Sequence, residues 1–197
     1  TSQHGMSGNN DTRAVHCIGS RSDTIRNEME YVTIAATGNT TDFGDLTVGK
    51  HTAAGAASTT RIIYGGGYLP PTTGATAAID YITTASTGNA IDFGDLVEAR
   101  SALSACSSGT RGVFAGGNSP SNEMDFVTIA STGNGTDFGD LTSVSEDSSG
   151  GTSNKTRGLF AKGGTPGRSA AIDHITIAST GNAADFGDRT VAGTYSG

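Results

Sequence analysis

Apolar and polar positions alternate in four short stretches of the chain: Tyr31-Val-Thr-Ile, Tyr81-Ile-Thr-Thr, Phe126-Val-Thr-Ile and His174-Ile-Thr-Ile. A period of two is a strand signal, with Val and Ile on one face and the aromatic and Thr positions on the other. Each stretch runs into Thr-Gly-Asn, whose Gly and Asn tolerate positive φ and suit a hairpin turn. Asp-Phe-Gly-Asp follows as a short outer strand. Upstream of each alternation lies a second strand-like run: Arg13-Ala-Val-His-Cys-Ile, Arg61-Ile-Ile-Tyr, Arg111-Gly-Val-Phe-Ala and Arg157-Gly-Leu-Phe-Ala. Glycines end three of these runs, at Gly65–Gly67, Gly116–Gly117 and Gly163–Gly164, while the first has only Gly19-Ser20. A run of small residues precedes each, at Thr1–Gly8, His51–Ser58, Ser101–Ser108 and Asp147–Asn154.

Aligned on Gly44, Gly94, Gly139 and Gly187, the copies are 50, 45 and 48 residues apart. Four strands in a unit of that size, with a glycine pair after the second, predict an all-β chain built as a β-propeller of four-stranded blades. No helical period competes; an open β-solenoid is the weaker alternative. The units run approximately over 1–48, 49–98, 99–142 and 143–190, with 191–197 beginning a further unit. First-strand sequence at both ends leaves the blade number open and predicts a longer array or a chain that docks on a neighbour.

The glycine pair and the aromatic of strand three resemble kelch repeats. The kelch Trp is missing, since the chain has no Trp. Phe43, Phe93, Phe138 and Phe186, twelve residues after the strand-three aromatic, are expected to pack in its place. The recurrent Ile-Asp-Tyr-Ile-Thr…Ser-Thr-Gly-Asn…Asp-Phe-Gly-Asp-Leu string more closely resembles kelch-like arrays in structural and tail-fibre proteins of tailed bacteriophages, notably cyanophages. The resemblance spans essentially the whole chain. It implies a location in the virion, an extracellular particle, within an oligomeric assembly.

Composition narrows the partners. Charged residues make up 16% of the 197, and Ser, Thr, Gly and Ala take up the difference, as suits short strands and many turns. A net charge of −7 and a pI near 4.9 argue against nucleic acid and anionic membranes. No apolar run approaches the ~18 residues of a membrane helix. Cys17 and Cys106 fall at different places in their units, which predicts two buried thiols rather than a bridge. A start at Thr1 leads us to expect a processed or excised chain, or part of a longer gene product.

Candidate chemistry is sparse. Asp-Phe-Gly recurs at Asp42, Asp92, Asp137 and Asp185 without a phosphate loop or a catalytic His-Arg-Asp, so it belongs to the repeat and not to a kinase magnesium site. One Arg per unit (Arg13, Arg61, Arg111, Arg157) and one second Asp (Asp45, Asp95, Asp140, Asp188) predict a repeated structural ion pair. Solvated charges, or a calcium site at the acidic turns, are the alternatives. His4, His16, His51 and His174 show no zinc spacing. The four Asn-x-Thr sequons, at Asn10, Asn39, Asn134 and Asn154, are what chance provides in so Ser/Thr-rich a chain. No catalytic residue, metal or cofactor is expected.

The loop after the glycine pair varies in length and character: Ser20–Asn27, Tyr68–Thr76, Asn118–Asn122 and Thr165–Ser169. Variable loops on a rigid scaffold are where binding resides. Arg21, Arg26, Tyr68, Asn118, Asn122 and Arg168 are therefore the candidate ligand contacts. The expected function is a non-enzymatic structural or adhesive virion module facing a host-surface glycan or another virion protein. The alternative is an architectural repeat that assembles through its terminal strands into a fibre or shell. A polysaccharide-acting enzyme ranks last, since the repeated acids single out no carboxylate pair.

Overall fold

A computed structural model describes residues 6–21, 24–69, 74–118, 121–146, 150–164 and 167–193, and no helix occurs among them. Four antiparallel four-stranded sheets form a four-bladed β-propeller. Blade 1 holds β1 (Met6–Asn9), β2 (Arg13–Cys17), β5 (Glu28–Thr33) and β6 (Thr41–Asp45), in that order from inside to outside. A ribbon of β3 (Ser20–Arg21) and β4 (Thr24–Ile25) rises from its middle loop. Blade 2 repeats this with β7 (Ala54–Ala57), β8 (Arg61–Gly65), the ribbon β9 (Tyr68–Leu69) and β10 (Gly74–Ala75), then β11 (Ala78–Thr83) and β12 (Ile91–Asp95). Blade 3 has β13 (Ser104–Ser107), β14 (Arg111–Ala115), β15 (Ser121–Thr128) and β16 (Thr136–Ser145). Blade 4 has β17 (Gly150–Ser153), β18 (Arg157–Ala161), β19 (Ser169–Thr176) and β20 (Ala184–Gly193).

The inner strands lie side by side in chain order and line a central cavity of about 380 Å³. Small residues are required there: a Cβ on Gly55 or Gly151 would meet the backbone of the preceding inner strand, at Ser7 and Ala105 respectively. The apolar alternation serves two cores at once. Ile62, Tyr64 and Ile82 pack toward blade 1 with Val15, Met29 and Phe43, while Ile63, Ile79 and Phe93 pack toward blade 3 with Phe114 and Val127. A third core joins blades 3 and 4 around Val113, Met124, Phe138, Phe160 and Ile175. Hydrophobic burial therefore lies between the sheets and cements neighbouring blades.

The expected aromatic packing is present in all four units. Tyr31–Phe43, Tyr81–Phe93, Phe126–Phe138 and His174–Phe186 meet edge to face, with centroids 5.8, 5.9, 6.0 and 5.9 Å apart. Residues 191–193 lengthen β20 as 143–145 lengthen β16 ahead of blade 4, and Gly193 pairs with Ser169 as Ser145 pairs with Ser121. Residues 1–5 and 194–197 lie outside the described residues.

Both thiols are buried, and burial pushes each up to about 12. Neither should react with an aromatic disulfide reagent at about pH 8 in the folded chain, and both should react after denaturation. Rapid labelling of either native thiol would contradict this packing.

Candidate functional site

Antiparallel order brings the loops after the second strands and the linkers between blades to one face. Tyr68 is fixed there by its backbone: its N–H donates to the His51 carbonyl at 2.8 Å, and the His51 N–H returns a bond at 3.2 Å. The two rings lie 5.4 Å apart at a 36° tilt, and Tyr68 keeps 38% of its surface exposed. Blade 3 repeats the contact, with the Asn118 N–H donating to the Ser101 carbonyl at 2.7 Å. Thr52 and Ala102, each one residue beyond these linker positions, both take positive φ (56° and 52°), so the linkers are held at a backbone cost.

The six candidate contacts are not equivalent. Tyr68 and Arg168 are exposed, and Asn122 is half-buried in β15. Arg26 is exposed but forms a 2.8 Å ion pair with Glu28, whose carboxyl is held below its ordinary value by backbone hydrogen bonding and by Arg26. Asn118 is half-buried, and its Oδ1 meets no donor among the described residues. Arg21 lies in β3, and its side chain is outside the described residues. Sequence reasoning missed His51 as the partner of Tyr68. The shared place of His51 and Ser101 after the outer strand was the available signal.

The repeated Arg–Asp ion pair is not what the chain builds. Arg13, Arg61 and Arg111 lie over the rings of Tyr31, Tyr81 and Phe126, with 4.6, 4.6 and 4.5 Å to the centroids. Each donates to carbonyls at the end of strand three in the following blade. Arg13 reaches Thr84 O (2.8 Å), Arg61 reaches Ile129 O and Ala130 O (3.1 and 2.9 Å), and Arg111 reaches Ile177 O and Ala178 O (3.2 and 2.9 Å). Those carbonyls have run out of ladder partners, and the guanidinium satisfies them. The aspartates act through their main chain. The N–H groups of Asp45, Asp95 and Asp140 each donate at 3.1 Å to the next blade's turn, at Asn89, Asn134 and Asn182 Oδ1. Their carbonyls accept from Ala90, Gly135 and Ala183.

Buried charge sits elsewhere. Lys50 Nζ is 3.0 Å from Asp80, Arg100 bonds Asp125, and Lys162 Nζ is 3.3 Å from Asp173, all buried. Lys50 and Arg100 come from linkers, five residues after Asp45 and Asp95. The equivalent fourth-unit position is Ser145, and the cation comes instead from Lys162 at the end of the second strand. The first two pairs pin a linker to the blade that follows it. The third lies within blade 4, where the linker is held by the Thr142 N–H donating to Asp173 at 2.9 Å and by Lys162 Nζ donating to Ser143 Oγ at 3.0 Å. The Asp-Phe-Gly acids are exposed; Asp137 Oδ1 accepts from the Gly139 N–H at 3.0 Å, a local turn bond. Among the described residues, no group of three His, Cys, Asp or Glu is arranged to hold a metal ion. No helix of the described residues is long and apolar enough to cross a membrane. No protein-family model and no curated protein matches the chain, so a functional reading rests on its loop face and its blade joints.

Proposed function

We propose that the chain is a non-enzymatic structural or adhesive module of a virion, presenting its loop-bearing face to a host-surface glycan or to another virion protein. One observation carries the reading: blade cores and turns repeat closely, while the loops on this face differ in length and chemistry from blade to blade. Tyr68 offers an aromatic surface for a sugar ring on a backbone already fixed, and the exposed Arg168 offers donors for hydroxyl or carboxylate groups.

Replacing Tyr68 and Arg168 together by Ala should weaken retention on host cells or host polysaccharide at least about tenfold while leaving the β-sheet circular dichroism unchanged. Retention equal to wild type would remove this face from consideration. A second reading, an architectural repeat assembling into a fibre or shell, is favoured by exposed apolar side chains on the two end blades, Ile34 and Phe186.

A further inference from the structure

We propose that blade 4 of one copy and blade 1 of a second copy form the same joint that links successive blades within the chain, giving head-to-tail self-association. This deepens the architectural reading and is independent of what the loop face binds.

Each internal joint has two halves. The leading blade supplies the Phe-Gly-Asp segment of its outer strand and the Arg that opens its second strand. The following blade supplies the end of strand three and the Thr-Gly-Asn turn. Gly88, Gly133 and Gly181 donate their N–H groups to Phe43, Phe93 and Phe138 O at 2.7, 2.8 and 2.6 Å. Ala90, Gly135 and Ala183 donate to Asp45, Asp95 and Asp140 O at 2.7, 2.6 and 2.7 Å. The Asn and Arg bonds described above complete each joint.

Blade 4 carries a whole leading half in Phe186, Gly187, Asp188 and Arg157. Blade 1 carries a whole following half in Ile34-Ala-Ala-Thr-Gly-Asn-Thr40. Neither is engaged among the described residues. A Cβ on Gly187 or on Gly38 would meet nothing within 4 Å. Phe186 is 47% exposed, against 1–2% for Phe43, Phe93 and Phe138; Ile34 is 50% exposed, against 0% for Ile129 and Ile177. Strand β17 is exposed along its whole length, whereas β7 and β13 each bury alternate residues.

The register of the internal joints specifies the contacts. Gly38 N–H would donate to Phe186 O, Thr40 N–H to Asp188 O, Asp188 N–H to Asn39 Oδ1, and Arg157 to the carbonyls of Ile34 and Ala35. The occupant is a second copy because blade 1 of this chain presents every group the free half of blade 4 lacks. The two faces differ, so the contact is heterologous and closes into a ring or propagates as a filament.

Sedimentation velocity over a concentration series tests it. The wild-type chain should grow by whole-chain steps. Gly187→Val places a side chain where the turn docks, Arg157→Ala removes an exposed guanidinium without touching the backbone, and Thr40→Pro deletes the blade 1 donor. Each should weaken association at least about tenfold with circular dichroism unchanged. Gly187→Val mixed with Thr40→Pro retains one intact half on each chain and should give a 1:1 dimer and nothing larger. A wild-type monomer up to about 1 mM overturns the proposal, and this includes a ring closed within one chain. Association indifferent to the three variants, or a mixture that stays monomeric, also overturns it. Loss of ligand retention in the Tyr68/Arg168 variant leaves the proposal untouched.

Discussion

Arg100→Met should lower the unfolding free energy by about 3–5 kcal/mol in urea titration, because it strands a buried carboxylate. Arg100 and Asp125 are 1% and 2% exposed. The guanidinium also donates to Gly116 O at 3.0 Å and Glu123 O at 2.7 Å. Its removal takes a donor from both carbonyls and the paired cation from Asp125, while Glu123 O keeps the Gly116 N–H at 3.0 Å. Burial already pushes the Asp125 carboxyl above its ordinary value, against the opposing pull of Arg100. Without Arg100, burial is opposed only by the Val97 backbone hydrogen bond, so the carboxyl moves further up. A carboxyl raised in the folded state gives stability that is present at low pH and lost as pH rises through its folded value. The variant's deficit relative to wild type should therefore shrink toward acid pH and be greatest near neutrality. Arg100→Met combined with Asp125→Leu should recover most of the loss, since an apolar replacement of both partners leaves no buried charge. A single variant within about 0.5 kcal/mol of wild type would show that water reaches this pair.

Gly94→Ala should be comparably severe, at about 3–5 kcal/mol, and Gly187→Ala should not. Gly94 has φ of 139°, and a Cβ there would lie 2.6 Å from the carbonyl carbon and oxygen of Gly133 in the next blade. Backbone strain and a clash that no rotamer relieves act together, and the joint between blades 2 and 3 must open. Gly187 has nearly the same φ, 133°, and an empty surround, so Ala there meets the strain alone, about 1–3 kcal/mol. Chemical unfolding of the two variants at low protein concentration separates strain from clash. Equal losses would mean that the glycines are kept for φ and not for the joint.

The blades were legible because a strand's period of two and the glycine pair are local signals, and fourfold recurrence fixed their alignment. Phe43 and its counterparts were also legible, through a constant spacing from the strand-three aromatic. The Arg–Asp pairing failed for a physical reason. One Arg and one Asp per unit establish equal numbers, but the Arg side chain reaches forward to the next blade while the Asp is used through its main chain. The buried cations were hidden because they do not align: Lys50 and Arg100 occupy one position in the unit and Lys162 another. Their partners Asp80, Asp125 and Asp173 do align, immediately before the strand-three aromatic or His, and a recurrent acid inside an apolar strand was the signal to follow. On the loop face, sequence variation located the surface, but spacing held no information about which side chains are tied to neighbours.

The displaced cation of blade 4 also restricts how such an array can be rearranged by recombination. A crossover between a linker and the second strand of its blade would combine Arg100 with a Lys162-type strand, placing two cations on one aspartate, or combine Ser145 with a Gly116-type strand, leaving the aspartate with none. Viable breakpoints fall instead where linker and second strand travel together as an inherited block. The unit of exchange in this chain is thus offset from the blade, beginning in one outer strand and ending in the next.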